Sequence, residues 1–97
     1  MYCFRSEKLR GLAKINEEAG EVIQVIGKLM MTQGEAEHWS GNNLYKDLAN
    51  ELADLEAAIS IFKRYNFAIP MDEKYTSRYA EKYNKFEQWI KEKDAHK

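Results

Sequence analysis

The sequence predicts an all-α protein, an antiparallel helical bundle of three to four helices. Apolar residues recur at spacings of three and four through most of the 97 residues, and no strand-like alternation of any length appears. The single Pro and the Asn- and Gly-containing stretches fall mostly where periodic segments should end. Composition agrees, since 44% hydrophobic and 32% charged residues suit a small soluble helical protein.

The first periodic segment covers about residues 6–31. Ser6 is a candidate N-cap with Glu7 in the first turn. Leu9, Leu12, Ile15, Ala19, Val22, Ile26 and Leu29 form its apolar stripe. Gly11, Gly20 and Gly27 lie inside it, each costing roughly 1 kcal/mol against Ala, and are expected to allow close helix packing. A polar stretch, residues 32–43, supplies the turn formers Gly34, Ser40, Gly41, Asn42 and Asn43. The second helix starts with Asn42 or Asn43 as cap and continues through Leu44, Leu48, Leu52, Leu55, Ile59 and Phe62 to about Tyr65. Asn66 and Pro70 mark its end. The third starts near Met71 or Asp72 and fades after about Ile90. Its stripe of Tyr75, Tyr79, Tyr83, Phe86 and Ile90 reads as core or subunit interface in preference to a base pocket. Residues 91–97 are charged and expected to fray. The reading is one domain, residues 1–97.

Charge and cysteine usage narrow the function classes. A net charge of −1 leaves no broad basic surface for a nucleic-acid backbone. No apolar run reaches the length of a membrane span, so no membrane partner is expected. Cys3 is the only cysteine and cannot form an internal disulfide. The stretch Met1-Tyr2-Cys3-Phe4-Arg5 lacks a signal-peptide layout. The expectation is a cytoplasmic protein. So small a domain buries a limited core, and oligomerisation is a reasonable source of added stability.

Chemistry concentrates in two acidic motifs, Glu17-Glu18-Ala19-Gly20-Glu21 and Glu51-Leu52-Ala53-Asp54. In each, two carboxylates three residues apart share a helix face, about 4.5 Å apart along the axis. If the first two helices form an antiparallel hairpin, residues are level when their numbers sum to a constant. Glu21 with Glu51 and Glu18 with Asp54 both sum to 72, placing the turn centre at residue 36. Four carboxylates meeting there would repel one another unless a cation held them.

At about 100° per residue, Lys14, Glu18, Glu21, Val25 and Lys28 form one stripe of helix one, roughly a third of a turn from the apolar seam. Asp47, Glu51, Asp54 and Ala58 form the matching stripe of helix two, about a quarter turn from the leucine face. The acids are expected to flank the seam. An acidic patch on a helix is usually a solvated face, but two such motifs level with each other on consecutive helices are far more specific. Hard oxygen ligands favour Mg²⁺, with Mn²⁺ as substitute, over zinc, which would want Cys or several His. The chain offers only Cys3, His38 and His96, widely separated. Neither a Gly-x-x-x-x-Gly-Lys-Ser/Thr loop nor a Gly-x-Ser-x-Gly elbow is present. Lys14, Lys28 and Lys82 are candidate phosphate contacts, and Trp39 could stack on a base.

Glu-Glu-x-x-Glu on one helix followed by Glu-x-x-Asp on the next resembles the all-α nucleoside triphosphate pyrophosphohydrolase superfamily. The wording Asn16-Glu17-Glu18-Ala19-Gly20-Glu21-Val22 and Asn50-Glu51-Leu52-Ala53-Asp54-Leu55 is most similar to its short MazG-like members. The similarity covers about residues 9–65. It implies a Mg²⁺-dependent hydrolase that cleaves a (d)NTP between the α and β phosphates, releasing (d)NMP and pyrophosphate. By motif match, Glu18, Glu21, Glu51 and Asp54 would bind the metal. Glu17 would support those ligands or act as base, the choice between Glu17 and a metal-bound Glu such as Glu18 staying open. The resemblance also implies a MazG-like dimer or tetramer whose pocket a neighbouring chain completes. The long gap between the motifs, and three helices where the family usually shows four or more, depart from its pattern. A phosphoribosyl-ATP pyrophosphohydrolase-like enzyme and a non-catalytic helical interaction module are the rival expectations.

Overall fold

The computed structural model describes residues 11–36, 41, 43–65 and 70–95. Among them lie three helices, α1 (Leu12–Met31), α2 (Leu44–Tyr65) and α3 (Glu73–Ala95), and no strand. The all-helical class is therefore as the periodicity predicts. The chain divides into two compact units, Met1–Phe67 and Ala68–Lys97.

Gly11, not Ser6, starts α1. Its φ of 85° is a left-handed backbone that ends the helix on its N-terminal side and favours glycine, and no side chain caps it. Ser6 and Leu9 lie outside the described residues. α1 then runs unbroken to Met31, through Gly20 and Gly27. A Cβ added at either glycine would meet nothing within 4 Å, so the expected close helix packing at these positions is absent. Past Met31 the chain reverses through Gln33 (φ 56°) and Gly34 (φ 85°), with the Gly34 N–H donating to the Leu29 carbonyl at 2.8 Å. The Thr32 hydroxyl lies 3.1 Å from the carbonyls of Leu29 and Glu35.

Asn43 caps α2, its side-chain oxygen accepting from the N–H groups of Tyr45 (3.0 Å) and Lys46 (3.1 Å). The Tyr45 hydroxyl donates to the Gly34 carbonyl at 2.7 Å, and the Leu44 N–H donates to the Ala36 carbonyl at 2.6 Å. These bonds tie the start of α2 to the turn after α1. A Cβ at Gly11 would sit 3.5 Å from Phe62, while Leu29 and Leu44 share a buried cluster. The helices are thus antiparallel, with facing residue numbers totalling 73.

The core of this hairpin consists of Val22, Val25, Leu29, Leu44 and Ala58, with Leu48 packed against it. It overlaps the expected seam in part, sharing Val22, Leu29, Leu44 and Leu48 with it. Leu12 and Ile26 are exposed, as is Leu52 on α2, whereas Val25 and Ala58 from the acidic stripes are buried. The buried face of α1 is centred roughly a fifth of a turn from the predicted one, given about 100° per residue. The buried face of each helix thus lies between the predicted apolar stripe and the acidic stripe and takes residues from both.

In the second unit, Asp72 caps α3 through Oδ1, accepting from the N–H groups of Lys74 (3.1 Å) and Tyr75 (3.3 Å). α3 extends five residues past Ile90. Ion pairs at helical spacing support it, Lys85 with Glu81 (3.5 Å) and Lys91 with Glu87 (3.2 Å) among them. Tyr75, Tyr79, Tyr83, Phe86 and Ile90 are all exposed, so they are not the core stripe that periodicity allowed. No helix of the described residues is long and apolar enough to cross a membrane.

Candidate metal centre

Glu18 lies at the N-terminal end of the buried face of α1, one turn before Val22 and two before Val25, and is only 9% exposed. A carboxylate in that position is costly unless a charge or several hydrogen bonds compensate it. Its surroundings include both like charge and one compensating charge. Across the hairpin, one oxygen each from Glu18, Glu51 and Asp54 lie within 4.8 Å of one another. On its own helix, one turn earlier, Lys14 Nζ lies 3.2 Å from Glu18 Oε1. The same ammonium is 3.4 Å from Glu17 Oε2.

The antiparallel register produces this grouping. Glu18 and Asp54, whose numbers sum to 72, line one cleft of about 460 Å³ together with Lys14, Ala57, Ala58 and Ile61. Glu51 lies one turn before Asp54 on α2 and is half-buried. Glu21 is exposed and is not one of the three clustered carboxylates. It is nonetheless the charge that acts most strongly on Glu51. Loss of water contact first, then repulsion from Glu21, Asp54, Glu18 and Asp47, raises the Glu51 pKa above its ordinary 4.5. The Lys14 ammonium is held above its ordinary 10.5, by Glu18 first and Glu17 second.

An ion held by two oxygens requires them to lie within about twice the metal–oxygen distance, roughly 4.2 Å for Mg²⁺ and about 4.8 Å for Ca²⁺. Oxygens within 4.8 Å of one another are in the range that such an ion spans. Asp54 is exposed and lines the cleft. The donor set is entirely carboxylate oxygen, so these residues fit a hard divalent cation.

The remaining candidates are placed as follows. Lys14 borders the cleft but is engaged by Glu17 and Glu18. Lys28 is exposed on α1 and makes no ion pair among the described residues. Lys82 belongs to the second unit, where it lines a groove of about 830 Å³ with Tyr75, Arg78, Tyr79, Tyr83 and Phe86. Trp39, His38, His96 and Cys3 lie outside the described residues. Sequence reasoning placed Ala58 on the acidic stripe of α2 but missed Ala57 and Ile61 as walls of the cleft. Their spacing of three and seven from Asp54 is the signal that would have found them.

No family model matches the sequence, and neither a curated protein nor a solved structure matches it.

Proposed function

We propose that this chain is a Mg²⁺-dependent nucleoside triphosphate pyrophosphohydrolase that cleaves a (d)NTP between the α and β phosphates. The observation that carries the reading is the buried Glu18 facing Glu51 and Asp54 across the α1–α2 hairpin. Evolution rarely keeps a carboxylate in so small a core without a use for its charge. Glu18, Glu51 and Asp54 hold the cation, with Glu21 one turn along α1 adding negative charge at the same end. When bound, the ion neutralises phosphate oxygens and lowers the pKa of an attacking water. Glu17 is 61% exposed at its side chain, beside the cleft, and serves as the base that accepts the water's proton. Mn²⁺ substitutes for Mg²⁺ in an all-oxygen site. The functional unit is a homo-oligomer, supported by the exposed apolar side chains on all three helices.

The test is pyrophosphate release from a panel of NTPs and dNTPs with Mg²⁺ or Mn²⁺. Wild type is expected to release pyrophosphate and the monophosphate. Glu18→Gln and Asp54→Asn are expected to lose at least about 10²-fold in kcat while remaining helical. Chelation of the metal should abolish release. Turnover unaffected by either substitution would sink the reading.

A further inference from the structure

The pairing of Lys14 with Glu18 has a role that a phosphate contact does not explain. Glu18 is nearly buried, and its neighbours across the hairpin, Glu51 and Asp54, are both acids. Among the described residues, the one positive group within ion-pair distance of it is Lys14 Nζ at 3.2 Å. Lys14 is itself 59% exposed and reaches Glu18 along a flexible four-carbon stem from one turn away. A second carboxylate, Glu17, stands 3.4 Å from the same ammonium and is open to solvent. The ammonium therefore has an inner acid and an outer acid on one helix, and moving between them needs only side-chain rotation.

We propose that Lys14 is an internal place-holder for the divalent cation. It is a positioning residue that neutralises the buried Glu18 in the metal-free protein and gives that carboxylate up when the cation binds, keeping Glu17 as its partner. This rests on the metal reading above and deepens it. Three clustered carboxylates need positive charge in both states. Lys14 supplies it in one, so that the hairpin closes before any metal arrives, and the same charge competes with the metal for Glu18. Lys14 thereby lowers cation affinity in exchange for a folded metal-free state.

Mn²⁺ alone is the probe, titrated calorimetrically into the full chain, with thermal melts in its absence and at saturation. Lys14→Met is expected to bind Mn²⁺ about three- to tenfold more tightly than wild type. It should also melt lower than wild type without metal, and the gap should close at saturating Mn²⁺. Lys28→Met, which removes a cation from the same stripe with no ion pair to an acid, should show neither effect. If Lys14→Met does not fold, Lys14→Gln keeps a hydrogen-bond donor toward Glu18 without the charge, and the same gain in affinity is expected. Unchanged or weaker Mn²⁺ binding by the Lys14 variants, with wild type still binding, overturns the place-holder and leaves the metal reading intact. An equal gain in Lys28→Met also overturns it, since long-range charge would then account for the effect. Absence of Mn²⁺ binding by every folded form removes both.

Discussion

At the scale of single residues, the acid cluster makes the metal-free hairpin sensitive to pH. Glu51 is half-buried among acids, and its pKa lies above 4.5. The folded chain thus keeps that proton to a higher pH than the unfolded chain does. Between 4.5 and the raised value the folded state binds more protons, so stability falls as pH rises through this window. Above it the deprotonated Glu51 opposes folding. Metal-free Glu51→Gln is therefore expected to melt higher than wild type at neutral pH, with the difference vanishing below about pH 4. Melts followed by circular dichroism check this, and a wild type equally stable at neutral pH would contradict it. Lys14 works the opposite way. Its raised pKa gives a stabilising contribution that is complete below 10.5 and is lost only as pH rises through the raised value.

At the scale of helices, α1 carries avoidable cost. Gly20 and Gly27 are helical, and nothing lies within 4 Å of the Cβ each would gain. Gly20→Ala and Gly27→Ala should each raise stability by about 0.5–1 kcal/mol in urea unfolding. A loss instead would mean that a neighbouring chain approaches these glycines. Element boundaries could be read from the sequence where local chemistry sets them. Asn43 at the start of α2, Tyr65 at its end and Asp72 before α3 all follow from capping and turn residues. The start of α1 could not, because Gly11 resembles an interior glycine in sequence, and its left-handed backbone is seen only in the fold. The register of the acids followed from loop length alone, which brought Glu18 level with Asp54. The rotation of the helices did not follow. α1 carries two adjacent apolar stripes, and periodicity selects the richer one, with Leu12 and Ile26. The hairpin buries Val22 and Leu29 of that stripe together with Glu18 and Val25 beside them, and no rule of apolar patterning selects a face containing Glu18.

At the scale of the molecule, that rotation has a cost in exposed surface. On the hairpin, Leu12, Ile23, Ile26 and Met30 of α1 and Leu52 of α2 are left open to solvent. The 100° rotation per residue puts them on the side of the hairpin opposite Lys14, Glu21 and Asp54. One side carries the charge and the other the uncovered oil. α3 adds Tyr79, Tyr83, Phe86 and Trp89, all more than half exposed. Large exposed apolar faces mark association. The chain is expected to sediment as a multiple of its 11.4 kDa mass, and Ile23→Lys combined with Met30→Lys should shift it toward monomer while preserving helicity. A wild-type monomer in sedimentation equilibrium would overturn the expectation.

The turn after α1 is a clasp closed twice, by Tyr45 hydroxyl on the Gly34 carbonyl and by the Leu44 N–H on the Ala36 carbonyl. Those bonds tie the start of α2 to the turn, on either side of the span between Ala36 and Leu44. Lengthening a closed loop costs little, each doubling adding about 0.6 kcal/mol. The span is accordingly a splice point, where a fluorescent tag or a foreign recognition sequence can be carried while Glu18 stays opposite Asp54.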